Sequence, residues 1–146
     1  MAKVIAVCSS KTKGVRKENI NCGILKTEYG LIDDAHADSG WHRQVSLLAM
    51  ESIEKMRKMG YEVGPGDFAE NITCEGIELM TLPIGTRLSV GKEVTLEISQ
   101  IGKECHAGCA IFKQTGKCIM PKEGVFARVI KGGPIKTGDE ISEDRI

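Results

Sequence analysis

The sequence predicts a mainly β (α+β) fold, a mixed and mostly antiparallel β-barrel with one or two short helices. Three observations favour it. The chain has 17 glycines in 146 residues, so turns are frequent. Short β-rich runs follow one another along the chain, and only one segment has a convincing helical period. Strands that are consecutive in sequence tend to be neighbours in a sheet, which favours a barrel.

The first half of the chain predicts two strands, a loop and a helix. Residues 3–8 form an apolar, β-rich run typical of a buried strand, and residues 20–28 predict a second strand. Residues 30–41 have no clear period and are predicted to be a loop. Apolar residues then recur at helical spacing, at Leu47, Met50, Ile53 and Met56. The helix is expected to end near Gly60, because glycine often follows the last helical turn.

The second half predicts strands separated by turns. Residues 64–68, Gly-Pro-Gly-Asp-Phe, have the composition of a tight turn, and residues 132–134 predict another. Alternating apolar and polar residues on both sides of a Gly-Lys pair predict a β-hairpin. The strands are predicted at residues 69–74, 87–90, 93–98, 124–131 and 138–142. The total is about seven or eight strands in a single domain spanning residues 1–146.

Charge and hydropathy exclude several classes of partner. The chain carries 20 Lys and Arg against 20 Asp and Glu, so its formal net charge is zero. A neutral chain has no overall attraction for nucleic acid or for anionic lipid. No segment reaches the ~18 apolar residues of a membrane span, and the first residues do not resemble a signal peptide. We therefore expect a cytoplasmic protein whose six cysteines are reduced.

The densest chemical signal is a group of thiols in residues 101–118. Cys105, Cys109 and Cys118 lie close together in sequence, with Lys103 and His106 beside Cys105. A cation beside a thiol favours the thiolate, which is the form that attacks, carries sulfur or binds metal. Cys109 is one helical turn from Cys105 and is a candidate resolving thiol or second ligand. Two alternatives stay open: Cys109 and Cys118 as buried small apolar residues, or a zinc site made of the three cysteines.

Polar residues also cluster at 33–44 and 11–17. The first cluster includes His36, His42 and Arg43, a mixture that suits binding and proton transfer in a loop. Arg43 is a candidate clamp for a phosphate or carboxylate, and the two histidines with an aspartate are candidate metal ligands. Lys13 and Lys17 flank a glycine that would let the backbone approach an anion. A solvated polar loop is the alternative for each cluster.

Taken in order, these segments resemble the MOSC family, the domain found at the C-terminus of molybdenum-cofactor sulfurases. The resemblance extends over about residues 4–142. It depends on Lys13-Gly14 with Lys17, Asp34-Ala35-His36-Ala37, His42-Arg43-Gln44-Val45, Pro65-Gly66-Asp67-Phe68, Ile101-Gly102-Lys103-Glu104-Cys105-His106 and Gly124-Val125-Phe126-Ala127. It implies a MOSC-like barrel of the PK β-barrel type and assigns the family's hallmark cysteine to Cys105. Small stand-alone members have the most similar arrangement.

The resemblance also implies a function. The protein would bind molybdenum cofactor, carry sulfur on Cys105 as a persulfide in cofactor sulfuration, or do both. Cys105 would be the molybdenum ligand, and Lys13, Lys17, His42, Arg43 and His106 would contact the cofactor. The expected partners are the small-molecule cofactor and a cysteine desulfurase or cofactor-biosynthesis proteins. Pyridoxal phosphate is not expected, because 146 residues leave no room for an aminotransferase-like domain.

An alternative function is a molybdenum-cofactor-dependent reductase of N-hydroxylated compounds. In relatives with that activity, the equivalents of His36 and Arg43 face the cysteine. This sequence departs from the family pattern at Asp33, where glycine is commoner, and at Glu104, where proline is common. These departures argue against the reductase activity more than against the fold. A non-catalytic, zinc-stabilised domain is the second alternative.

Overall fold

A computed structural model describes residues 2–12, 15–102 and 123–143. These residues form strands β1 Ala2–Ser9, β2 Glu18–Asn19, β3 Cys22–Lys26, β4 Gly30–Leu31, β5 Val45–Ala49, β6 Ile72–Glu75, β7 Arg87–Val90, β8 Val94–Ile101, β9 Val125–Lys131, β10 Gly133–Lys136 and β11 Glu140–Glu143. One α-helix, α1 Met50–Lys58, and one 3-10 turn, Leu79–Thr81, complete the elements of this part of the chain. No helix in the described ranges is long and apolar enough to cross a membrane.

Seven of the strands close into a barrel. Hydrogen bonding runs in the order β1-β11-β7-β8-β9-β5-β6 and returns to β1, and β2 extends β1 beyond the barrel. Of the barrel pairings, only β5 with β6 is parallel. A small antiparallel sheet, β10-β3-β4, accompanies the barrel. The predicted mixed, mostly antiparallel barrel is therefore confirmed.

The barrel closes because its strands supply apolar side chains to one interior. The larger apolar cluster takes residues from all seven barrel strands and from the small sheet. The β7–β8 hairpin shows the pattern, since Leu88 pairs with Leu96 and both are fully buried. Burial of such side chains contributes about 1.5–3 kcal/mol each.

The helix starts later than its spacing predicts. Leu47, expected on the helix, lies in β5, and α1 begins at Met50. Leu47 faces the larger cluster, while Leu48 joins a second cluster with Ile53 and Met56 of α1. A strand buried on both faces is a continuous apolar run, which periodicity cannot separate from a buried helix. The predicted end is confirmed: the N–H of Gly60, at φ +98°, donates to the Arg57 carbonyl.

The turn predicted at residues 132–134 is shorter than expected. Pro134 belongs to β10, where it pairs with Ile24 of β3. β10 lies at the edge of its sheet, and an edge strand tolerates proline because one side of it makes no ladder hydrogen bonds. The break occurs at Gly132 instead, where an added Cβ would overlap the Leu25 carbonyl.

The turn at residues 64–68 has the predicted structure and holds a distant segment. The Gly64 N–H donates to Asp67 Oδ2 at 2.8 Å, which closes the turn. The Lys17 N–H donates to the Gly66 carbonyl at 2.7 Å. Gly66 has φ +87°, and a Cβ there would overlap the Lys17 carbonyl oxygen. Only glycine allows this approach, so the turn determines where Lys17 lies.

Gly66→Ala is therefore expected to lower the free energy of unfolding by about 3 kcal/mol or more, through backbone strain and displacement of the Lys17 segment. Gly60→Ala is the matched control, because Gly60 has a similar φ but no atom within 4 Å of an added Cβ. That control should lose only about 1–2 kcal/mol. Urea denaturation measures both, and equal losses would contradict the role given to Gly66.

Candidate functional site

A buried ion pair connects the chain before β2 to the loop after β4. Lys17 Nζ lies 2.8 Å from Asp34 Oδ1, and both side chains have no solvent exposure. Asp34 also accepts hydrogen bonds from the Ser10 N–H at 3.0 Å and, through Oδ2, from the His36 N–H at 3.0 Å. Burial acts to raise the pKa of Asp34, but the hydrogen bond and charge of Lys17, with the Ser10 N–H, hold it below its usual range. Asp34 is thus a carboxylate.

Lys17 also contacts the imidazole of His36. Its Nζ lies 2.9 Å from His36 Nδ1 and 3.1 Å from Ser10 Oγ. The His36 side chain is 30% exposed, so it connects the buried pair to the surface. The structure therefore brings together Lys17 and His36, two of the residues that the sequence proposes for the site.

Asn71 and Glu70 support this region from the strand side. Asn71 Oδ1 accepts from the Ser46 N–H at 3.0 Å, and its Nδ2 donates to the Cys8 carbonyl at 3.2 Å. Glu70 is fully buried, and burial raises its pKa although Thr73 Oγ1 donates to it at 2.7 Å. The sequence predicts a strand over residues 69–74 and misses the role of Asn71 in connecting Ser46 to Cys8. The available signal was two polar residues directly before an apolar strand.

Arg43 contacts two aromatic rings. Its guanidinium carbon is 3.7 Å from the ring centre of Trp41 and 5.3 Å from that of Phe126. Burial lowers the pKa of Arg43. Arg43 Nε is buried and has no hydrogen-bond partner in the described part of the chain. Gln44 anchors the segment, because its Oε1 accepts from the Val129 N–H of β9 at 3.0 Å.

His42 points to a different neighbour from His36. Its Nε2 lies 2.7 Å from Gln100 Oε1, and Gln100 Nε2 donates to the Gly102 carbonyl at 2.7 Å. The second contact orients the amide, so His42 Nε2 is the donor to Gln100. The two histidines have separate hydrogen-bond partners. No group of three His, Cys, Asp or Glu that could hold a metal occurs among the described residues.

The hydrogen bond from the Gly102 N–H to the Gly124 carbonyl, 2.7 Å long, joins the two ends of the thiol segment. Cys105, His106, Cys109 and Cys118 lie outside the described residues, as does Lys13. The segment leaves and rejoins the barrel beside Gln100 and Phe126, which pair across β8 and β9. These two residues contact His42 and Arg43 respectively.

Three cysteines are described, and two of them are poor nucleophiles. Burial raises the pKa of Cys8 and of Cys74 to about 12, with smaller contributions from neighbouring carboxylates. Cys22 is exposed on β3. A thiol that stays protonated neither attacks nor binds metal. Cys8 and Cys74 are therefore structural.

The structural class of this protein is a closed seven-stranded mixed barrel. A polar loop contacts one end of the paired strands β8 and β9. The MOSC domain profile matches residues 34–142. The match covers most of the chain, and the chain belongs to the MOSC domain family, which is associated with molybdenum-cofactor sulfurases. The resemblance inferred from the sequence is confirmed.

Solved structures show the same fold at low identity. The YuaD protein from Bacillus subtilis is 17% identical, with a TM-score of 0.79, over 97% of this chain and 94% of that one. YiiM from Geobacillus stearothermophilus is 16% identical, with a TM-score of 0.73, over 99% and 76%. YiiM from Escherichia coli is 18% identical, with a TM-score of 0.71, over 100% and 71%. A search of curated proteins finds no match to this sequence.

Asp34→Asn tests the buried pair. Removing one partner leaves Lys17 as an uncompensated buried charge, so we expect a loss of about 3–5 kcal/mol at neutral pH. Because the folded-state pKa of Asp34 is lowered, its contribution is complete above the unfolded value of about 3.9 and disappears as pH falls through the folded value. The stability gap between wild type and variant should therefore narrow in acid.

Urea denaturation of both proteins from neutral pH to below about pH 3.9 measures this gap. Asp33→Asn is the control, since Asp33 is the exposed neighbour of Asp34. A gap that stays constant over the whole range would show that the Asp34 carboxylate is not the source of the stabilisation.

Proposed function

We propose that this protein binds molybdenum cofactor beside the Gly102–Gly124 hydrogen bond, and that Cys105 ligates molybdenum or carries sulfur for cofactor sulfuration. The observation that carries the proposal is Arg43, whose stacked guanidinium has a buried Nε without a hydrogen-bond partner in the described residues. A buried donor without an acceptor is costly, and a bound anion would remove that cost.

The chemistry of Arg43 fits the phosphate of the cofactor. A guanidinium is planar, stays charged and donates two parallel hydrogen bonds to a phosphate. Its stacking on Trp41 and Phe126 fixes the plane of the fork before a ligand arrives. A preorganised side chain loses less entropy on binding. When bound, the cofactor would supply the redox and sulfur chemistry of its molybdenum, and the chain would hold and orient it.

Two observations favour Cys105 as the thiol. Cys8 and Cys74 are buried thiols with raised pKa values, which leaves Cys22 and the cysteines of residues 103–122 as candidates. Cys105 follows Gly102 by three residues, so covalent geometry keeps the two Cα atoms within about 11 Å. Gly102 in turn accepts a hydrogen bond from Gln100, the residue that His42 contacts. Thiolate sulfur is also a soft ligand for a transition metal.

Arg43→Gln is expected to reduce the molybdenum retained per protein about tenfold or more, because charged hydrogen bonds contribute about 1.5–3 kcal/mol. Arg43→Lys should lie between this variant and wild type, since lysine keeps the charge but not the planar fork. Elemental analysis of protein purified from cells that make the cofactor gives the ratio. Arg87→Gln is the control, because Arg87 is exposed and bound to Glu97. Wild-type retention in Arg43→Gln would refute the role of Arg43.

Cys105→Ala is expected to lose two signals of the wild-type protein. One is any persulfide, seen as a mass increase of about one sulfur atom, and the other is the molybdenum retained through purification. Intact-mass spectra under native and denaturing conditions, with elemental analysis for molybdenum and zinc, measure both. Cys22→Ala is the matched control, because Cys22 is also a thiol but lies exposed on β3. If Cys105→Ala kept both signals, the assignment would fail. One zinc per chain that depends on Cys109 and Cys118 would instead favour the zinc-stabilised domain.

A further inference from the structure

We propose that Lys17 is a positioning residue that holds the neutral imidazole of His36 in the tautomer protonated at Nε2. His36 then acts toward a ligand as a hydrogen-bond donor. The tautomer follows from this chain alone, and only the identity of the ligand rests on the proposed function.

The hydrogen-bond donors and acceptors around Lys17 lead to this assignment of the tautomer. An ammonium has three protons and no acceptor. Three of the described groups lie at hydrogen-bond distance from Lys17 Nζ: Asp34 Oδ1 at 2.8 Å, His36 Nδ1 at 2.9 Å and Ser10 Oγ at 3.1 Å. The hydroxyl proton of Ser10 is already donated to the Thr12 carbonyl at 2.9 Å, so Ser10 Oγ accepts from Lys17. His36 Nδ1 must likewise accept, and it therefore carries no proton.

The reverse assignment, a neutral Lys17 amine accepting from a protonated Nδ1, conflicts with the surroundings. Asp34 is a buried carboxylate that receives hydrogen bonds from two backbone N–H groups as well as from Lys17. A neutral amine would leave that charge buried without a counter-charge, which is strongly unfavourable. The charged pair is consistent with the lowered pKa of Asp34. With Lys17 as the ammonium, only the Nε2–H tautomer of neutral His36 presents an acceptor to Lys17 at Nδ1.

The assigned tautomer limits the chemical roles that His36 can have. With Nδ1 bonded to Lys17 and Nε2 protonated, neither ring nitrogen is ready to take a proton from a ligand. The ring then carries its one N–H at Nε2, on a side chain that is 30% exposed. Such a donor fits an acceptor group, for example a phosphate or oxo oxygen, and does not fit a group that must lose a proton to His36. The sequence suggests proton transfer in this loop, whereas the assignment makes neutral His36 a hydrogen-bond donor that transfers no proton.

The test is a long-range ¹H–¹⁵N correlation spectrum of the imidazoles in cofactor-free protein, at roughly pH 8, where an ordinary histidine is neutral. The chain has three histidines, so His42→Gln and His106→Gln identify the signals of His36. We expect one protonated nitrogen, Nε2, and one unprotonated nitrogen, Nδ1. A proton at Nδ1, or a mixture of tautomers, would overturn the proposal.

Variants test the part played by Lys17. Lys17→Met removes the donor and should release His36 into a mixture of tautomers, whereas Lys17→Arg keeps a donor-only cation and should restore the single form. Lys11→Met, at an exposed neighbouring lysine, is the control and should match wild type. A single Nε2–H form that survives in Lys17→Met would exclude Lys17 as its cause. If Lys17→Met does not fold, the wild-type spectrum still decides the tautomer. No cofactor is present, so failure of the proposed function leaves these outcomes unchanged.

Discussion

Lys17 and Asp34 are buried together at the start of the loop that carries His36 and Arg43. Removing two charges from water costs several kcal/mol for each ion, and the pair is tolerated only because hydrogen bonds satisfy both groups. Those hydrogen bonds come from segments that are distant in sequence. Gly66 holds the Lys17 backbone, Ser10 binds both charged groups, and His36 donates its own N–H to Asp34. The site therefore depends on the hydrogen bonds that both members of this ion pair make. Each chain segment that contributes one of these bonds is held in place by the ion pair.

The class of fold was predictable because its causes are local. Apolar residues alternate along the β7–β8 hairpin, and glycines are frequent in the turns. These local patterns predict the same strands and turns that the structure contains. The errors occurred where long-range packing overrides local pattern. Leu47 has helical spacing with Met50, but burial on both sides of β5 makes it part of a strand. Pro134 has turn chemistry, and its place at a sheet edge is a property of strand order that local residues do not encode.

The sequence predicts candidate site residues from their chemistry, but not the contacts that those residues make in the folded chain. The sequence predicts Arg43 as an anion clamp, and its guanidinium carbon lies 3.7 Å from the ring centre of Trp41, a contact that the sequence does not predict. The sequence groups Lys17 with Lys13 as a candidate anion-binding segment, whereas the Lys17 side chain is fully buried. The difference arises because Lys17 becomes buried through the turn at Gly66, about fifty residues away in sequence. Charge is visible in a sequence, but the burial of a charge depends on contacts that only the folded chain forms.

The hydrogen bond between Gly102 and Gly124 has an evolutionary consequence. It completes the β8–β9 ladder, so the barrel does not depend on the number of residues inserted between its two ends. The entropic cost of connecting two strand ends grows only with the logarithm of the number of residues between them, about 0.6 kcal/mol for each doubling. A change in the length of this segment is therefore expected to cost little free energy of folding. New chemistry can diversify there while the same barrel is inherited unchanged.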